Sequence, residues 1–338
     1  MKRKSIKILF IISCILMPLL SMILSLTVGR FPVTLRDILL SIMEGLNLTS
    51  GQVSAEAYTV IIHLRIPRTI AAAFVGAGLA ASGVAYQGVF RNPLVNSGLL
   101  GVSNGAAFGA ALAVIVSGSY ISTNLFAFFF GISAVALSYW IAKIYKTVPT
   151  IMLILGGTIV SSIFSALLTI LKSVADTENE LPAIVYWTMG SVASTTYEDF
   201  WALIPILLGI IILLLYSYQI NVISMGEKQA RTMGIHVKSG EKMIIMAATL
   251  STAGAVCLSG VVGWVGLVIP HIGRMIIGND NRKLIPVSIS IGAAFMVLID
   301  TVSRSVTSSE IPLGVLTALI GAPFFIFLLK KTKGGGWN

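Results

Sequence analysis

Arginine is the residue type in this chain whose placement most invites a chemical reading. Arg65-Ile66-Pro67-Arg68 sets two guanidinium groups around a proline at the end of a long apolar run, deeper than ordinary loop charges lie. Three residues apart on a helix, the pair can present a forked cationic surface to an acidic partner. Each side chain can equally snorkel to lipid headgroups. On the residues alone both readings stay open. Arg304, one turn after Asp300 at the end of another apolar run, is a third candidate. Glu227-Lys228-Gln229-Ala230-Arg231-Thr232-Met233-Gly234 reads as a short exposed helix stopped by glycine, either a solvated connector or an element gripped by a cytoplasmic partner. Catalytic patterns are missing from the sequence. It holds no G-x-x-x-x-G-K-[ST], so it does not bind ATP through a P-loop. His63, His236 and His271 are scattered, with no H-E-x-x-H and no carboxylate at metal-ligand spacing. No catalytic residue, metal ligand or cofactor is therefore expected on this chain.

The elements that must hold these residues are apolar helices. Of 338 residues 56% are hydrophobic and only 11% charged, with a mean hydropathy of +0.94. Soluble domains carry about 25% charged residues, which excludes a soluble enzyme of this size. At about 20 residues per crossing, the chain reads as one all-α polytopic membrane domain, residues 1–338, with ten transmembrane helices. The apolar runs are Ile6–Thr27, Ile61–Val89, Leu99–Val116, Asn124–Ala142, Ile151–Leu171, Phe200–Tyr218, Met243–Val261, Val262–Ile277, Ile285–Ser303 and Pro312–Leu329. The first is too long for a signal-peptide core and is read as a retained helix.

An even count puts both termini on one side, and the charges name that side. The net charge is +10. All of the 23 basic residues except Arg30, Arg36, Arg65, Arg68, Lys172 and Arg304 fall on the side assigned to the cytoplasm. Of the 13 acidic residues only Glu227, Glu241 and Asp280 join them. The positive-inside rule gives cytoplasmic termini and accounts for the basic excess without nucleic acid. Residues 172–199 form an external segment with a short helix near Ile184–Met189, and 221–242 form the sizeable cytoplasmic loop.

Gly101, Gly105 and Gly109 recur every fourth residue and are expected on one face of the third helix, where small residues let backbones approach. Ser82-Gly83-Val84 and Ser259-Gly260-Val261 each precede a proline, Pro93 and Pro270, by the same spacing on oppositely directed runs. Inverted repeats of transporters produce that relation. Cys14 and Cys257 lie inside apolar runs as small hydrophobic packers. The spans are almost free of Asp, Glu and Lys, unlike ion-coupled carriers. A secondary carrier is therefore the distant alternative, and an embedded enzyme is poorly supported.

Several blocks together resemble the FecCD family of permease subunits of type II ABC importers for iron-siderophores, haem and vitamin B12. They are Arg65-Ile-Pro-Arg68, Val75-Gly-Ala-Gly-Leu-Ala-Ala-Ser-Gly83, Tyr86-Gln-Gly-Val-Phe-Arg-Asn-Pro-Leu94 and Ser97-Gly-Leu-Leu-Gly-Val-Ser-Asn-Gly105. Gly226–Gly234, Gly263–Arg274 and Glu310–Phe325 continue the match in order. The resemblance implies a dimer of this chain or of the chain and a close paralogue, two cytoplasmic ATPase subunits holding ATP and magnesium, and an extracytoplasmic solute-binding protein. It implies docking of that protein at Arg65, Arg68 and Arg304. It also implies ATPase coupling through Gly226, Glu227, Ala230, Arg231, Gly234, Pro270, His271 and Arg274, and a gate near Asn92, Pro93 and Leu94. Ferric siderophore is the first expected cargo, with haem and cobalamin as alternatives.

Overall fold

The computed structural model describes residues 2–49, 51–143, 150–307 and 309–331. Lys146 and Lys333, two of the basic residues assigned to the cytoplasmic side, lie outside them. Every regular element among the described residues is helical. The chain begins with α1 (Lys2–Thr27), then the short α2 (Leu35–Gly45) and α3 (Ala55–Tyr58). A π-helical stretch, Thr59–Arg65, leads straight into α4 (Ile66–Val89). There follow α5 (Val102–Ser117), α6 (Tyr120–Lys143), α7 (Thr150–Val174) and α8 (Glu180–Met189). A 3-10 turn, Tyr197–Ala202, opens α9 (Leu203–Leu215), and α10 (Ser217–Ser224) and α11 (Glu227–Thr232) follow. The last four are α12 (Val237–Ser259), α13 (Val265–Ile277), α14 (Asn281–Val306) and α15 (Leu313–Lys331).

Composition decides which helix is central. α4 is built largely of alanine and glycine, and nearly all of it is buried against α12, α13 and α14. A Cβ at Gly76 would overlap the Gly292 carbonyl of α14, and one at Gly83 would overlap the Gly266 carbonyl of α13. Backbones meet there because no side chain intervenes. Large apolar side chains instead face outward, as with Phe129 and Trp140 on α6 and Ile163 and Ile170 on α7. A hydrocarbon solvent, not water, makes that arrangement stable.

All ten expected apolar runs fall on helices: α1, α4, α5, α6, α7, α9, α12, α13, α14 and α15. Among the described residues six helical runs are long and apolar enough to cross a membrane: Ala55–Val89, Ser122–Lys143, Ile151–Val174, Tyr197–Leu215, Val237–Ser259 and Asn281–Val306. α5 and α13 are shorter. Sixteen and 13 residues give about 24 and 20 Å at about 1.5 Å each, less than the roughly 30 Å hydrocarbon core.

Four expectations change. α12 begins at Val237, not at Met243, inside the mostly helical segment 221–242, because Lys238, Glu241 and Lys242 interrupt the apolar pattern without breaking the helix. The short helix expected near Ile184–Met189 begins at Glu180, since Pro182 sits in the first turn, where its missing N–H costs nothing. Gly101 does not share a face with Gly105 and Gly109. It is the N-cap of α5 with φ of 87° and lies against Ser161 of α7, whereas Gly105 and Gly109 pack on the α6 backbone at Phe130 and Phe126. The two Ser-Gly pairs occupy unlike structure. Gly83 is mid-helix, while Gly260 ends α12 with φ of 64°, so this pair carries no repeat.

Candidate functional site

The structure brings Arg65, Arg68 and Arg304 together at one end of the bundle, and all three are buried. Arg65 closes the π-helical stretch. Its Nη1 donates to the Leu26 carbonyl at 2.6 Å and its Nη2 to the Phe31 carbonyl at 2.6 Å, tying it to the end of α1 and the following loop. Arg68, in the first turn of α4, is shared by two carboxylates. Its Nε and Nη2 lie 2.9 and 2.7 Å from Asp300 Oδ1, and its Nη1 and Nη2 lie 2.7 and 2.9 Å from Glu310 Oε1 and Oε2. Arg304 donates through Nη2 to the Ser25 carbonyl and to Ser25 Oγ, and its Nε stands 3.8 Å from Asp300 Oδ2. Ser25 Oγ is also 3.1 Å from Thr69 Oγ1.

Arg68 and Arg304 thus share Asp300, Arg68 also holds Glu310, and Arg65 meets only backbone carbonyls, leaving an excess of positive charge. The guanidiniums do not extend toward headgroups, as snorkelling would require. They fold inward and bind α1, α4, α14 and the segment before α15 to one another. A cleft of about 320 Å³ opens beside them, lined by Arg30, Phe31, Leu64, Arg65, Arg68, Ala193, Arg304 and Glu310. Glu310 is its partly exposed carboxylate. Asp300 and Glu310 were not among the expected site residues. They stand 232 and 242 positions from Arg68 in sequence, and only the Asp300–Arg304 spacing of one helical turn hinted at a pair.

The opposite end holds the other candidates. Gly226, with φ of 119°, turns the chain into α11, and Gly234, with φ of 77°, turns it out. Ala230 is fully buried against Val222 and Val237. Glu227, Lys228 and Arg231 face outward, with Arg231 Nη2 2.6 Å from Glu227 Oε1. Met225 and Met233 flank the helix and are exposed. Asn221 joins this region to the turn before α14, donating to Asp280 Oδ1 at 2.7 Å and accepting from the Asn281 amide at 2.7 Å. In α13, Pro270 and His271 are buried. Arg274 follows one turn later, its Nη1 buried with no hydrogen-bond partner among the described residues, beside exposed Met275 and Ile276.

The loop after α4 approaches the start of α13. Leu94 N donates to Asn92 Oδ1 at 2.9 Å, which fixes the turn around Pro93. Gln87 Nε2 then donates to the Val95 and Gly266 carbonyls at 3.0 and 3.2 Å. Irregular backbone at this depth persists because it is enclosed by protein. The break 260–264 borders an apolar cleft of about 530 Å³ lined by Met189, Val261, Gly263, Trp264, Val315 and Leu319. Cys257 is buried, as expected of a packing residue, and Cys14 is half-buried.

The chain is an all-helical, multi-pass membrane protein with a buried arginine network at one end and a short exposed helix at the other. This chain is a member of the FecCD transport family, which matches residues 16–331, and so a permease subunit of an ABC importer. It is 39% identical to the molybdate import system permease protein MolB of Haemophilus influenzae over 98% of each chain. It is 38% identical to the cobalamin import system permease protein BtuC of Halobacterium salinarum over 82% of this chain and 75% of that one. A solved inward-facing structure assigned to the metal-chelate type of ABC transporter superposes with a TM-score of 0.85 at 39% identity, covering 96% of this chain and 99% of the other.

Proposed function

We propose that the chain imports a metal chelate across the cytoplasmic membrane, with ferric siderophore as the first cargo, powered by ATP hydrolysis in two partner subunits. The observation that carries this reading is the polarity of the bundle: an arginine-rich cleft at one end and a projecting helix, α11, at the other. In this reading ten crossings place both termini in the cytoplasm. The cleft at Arg65, Arg68 and Arg304 faces outward and receives acidic side chains of a solute-binding protein. α11, with Met225, Met233 and the end of α13, rests on the ATPases. Two copies of the chain, or the chain and a close paralogue, enclose a solute path along the apolar cleft at Trp264 and Leu319. ATP-driven closure of the ATPases would push α11 and change how the two permeases pack.

A second reading, molybdate as cargo, is favoured by the match to MolB along nearly the whole of both chains. Uptake separates the readings. Cells with and without this chain would be given labelled ferric siderophore or, in parallel, labelled molybdate, with haem and cobalamin as competitors. Loss of siderophore uptake alone supports the first cargo, and loss of molybdate uptake alone supports the second. Uptake that persists when ATP is depleted, with no ATPase co-purifying, overturns the importer. Docking is best tested at Arg30, which is exposed on the cleft. Arg30→Glu should slow association with the solute-binding protein by about tenfold at low salt; an unaltered association rate would remove the docking surface.

A further inference from the structure

A groove of about 400 Å³ runs along the outside of the bundle between α6, α9 and α12 and shares no lining residue with the arginine cleft. Its walls are Ile132, Val135, Ala136, Ile212, Met246 and Leu250, apolar almost throughout. Tyr139, Lys242 and Ile245 line both this groove and a smaller cleft of about 130 Å³, to which Lys143, Lys238 and Glu241 also contribute. From Ile132 to Tyr139 the groove follows seven residues of α6, about 10 Å, before the lysines begin.

The charges are arranged for an anion. Lys238 and Lys242 are one turn apart on α12, and Lys143 ends α6 across from them. All three are exposed, and among the described residues none is engaged by a hydrogen bond or ion pair. Glu241 is the acidic group in the same cleft, so the lysines exceed it by two. The first turn of α12 holds no acidic residue, and its helix dipole adds to the positive field. Basic pockets between helices at the positively charged end of a membrane protein recognise anionic lipid headgroups.

We propose that this composite groove binds an anionic phospholipid of the surrounding bilayer, one acyl chain along α6 and α12 and the phosphate among Lys143, Lys238 and Lys242. A neutral lipid would leave the lysines without a counter-charge, and a free phosphate would leave the apolar groove unfilled. A packed helix from another protein would fill the groove without using the cationic cleft.

The test uses the full chain purified in mild detergent and examined by native mass spectrometry during titration with phosphatidylglycerol, phosphatidylcholine or inorganic phosphate. Phosphatidylglycerol should be retained at one molecule per chain with at least tenfold preference over phosphatidylcholine, and inorganic phosphate should not displace it. Lys238→Ala with Lys242→Ala should abolish the preference, and Lys238→Arg with Lys242→Arg should keep it. Ala136→Trp, which fills the groove and leaves every lysine in place, should weaken retention at least tenfold. Equal retention of the two lipids, displacement by inorganic phosphate, or an Ala136→Trp variant that binds normally would each overturn the proposal. If the double alanine variant does not fold, the comparison of lipids on the unsubstituted chain and the Ala136→Trp result decide it.

Discussion

Each end of the bundle has an arginine four residues after a carboxylate on one helix, and the two pairs have opposite characters. Glu227 and Arg231 on α11 approach to 2.6 Å, yet their side chains are 54% and 64% exposed. Asp300 and Arg304 on α14 stand 3.8 Å apart, yet are 1% and 9% exposed. Distance alone would rank the α11 pair first. Burial reverses the order, because water screens the close pair while the distant one sits among groups that have lost their hydration. The charge at the arginine end therefore holds the fold together, and the charge on α11 is left for something else to use.

Breaking the buried side should have the largest effect. Asp300→Ala removes the carboxylate between Arg68 and Arg304 and should cost about 3–5 kcal/mol, because it leaves buried cations unbalanced. A fall in the thermal midpoint and loss of monodisperse protein in detergent would show it; an unchanged midpoint would refute the account. The same logic applies to Arg65→Glu with Arg68→Glu. That double variant sets new carboxylates beside Leu26 O, Asp300 and Glu310, so lost uptake would reflect lost folding.

Ala230→Glu, intermediate in size, attacks the other end. It forces a carboxylate under α11 against Val222 and Val237, at a local cost of about 1–3 kcal/mol. Proteolysis within 226–236 should accelerate and uptake should fall, while the bundle keeps its thermal midpoint. Arg231→Ala should be smaller still, about 0.3–0.5 kcal/mol on stability, and a shift large enough to measure in the midpoint would contradict the surface reading.

The smallest effect is with acid. Partial burial works to raise the Asp280 carboxyl, but hydrogen bonds from Asn221 and Arg282 outweigh it and hold the group below the usual carboxylate value. Its anionic form is thus favoured in the fold. The stabilisation is present at neutral pH and disappears as pH falls through that lowered value, below the usual carboxylate range. Asn221→Ala should flatten this acid dependence of the thermal midpoint; an unchanged slope would show that another group carries it.

Much of this organisation is legible in the sequence because it is local. Apolar runs mark the helices, and Glu227–Gly234 shows both its charged face and its stop signal within eight residues. The network around Arg68 is not legible, since Asp300 and Glu310 come from the far end of the chain and carboxylates carry no sign of which arginine they will meet. Helix starts are blurred where polar residues occupy the opening turns, as at Lys238, Glu241 and Lys242. Gly101 was misassigned to a face because spacing cannot tell the last residue of a turn from the first of a helix. α13 is set apart from α12 by Gly260 and Trp264, with φ of 64° and 67°, which interrupt an otherwise unbroken apolar stretch.

One wide turn has a further consequence. Ahead of Arg68 the Ile66 amide bonds back five residues to the Ile61 carbonyl, so in that register the next carbonyl, Ile62, would look to position 67 for its donor. Position 67 is proline and has none. The phenol of Tyr197 supplies the bond instead, 2.7 Å from the Ile62 oxygen and 135 residues away in sequence. A rung missing from one helix is thus filled from another element, and the turn between the two arginines is stitched to the 3-10 segment ahead of α9.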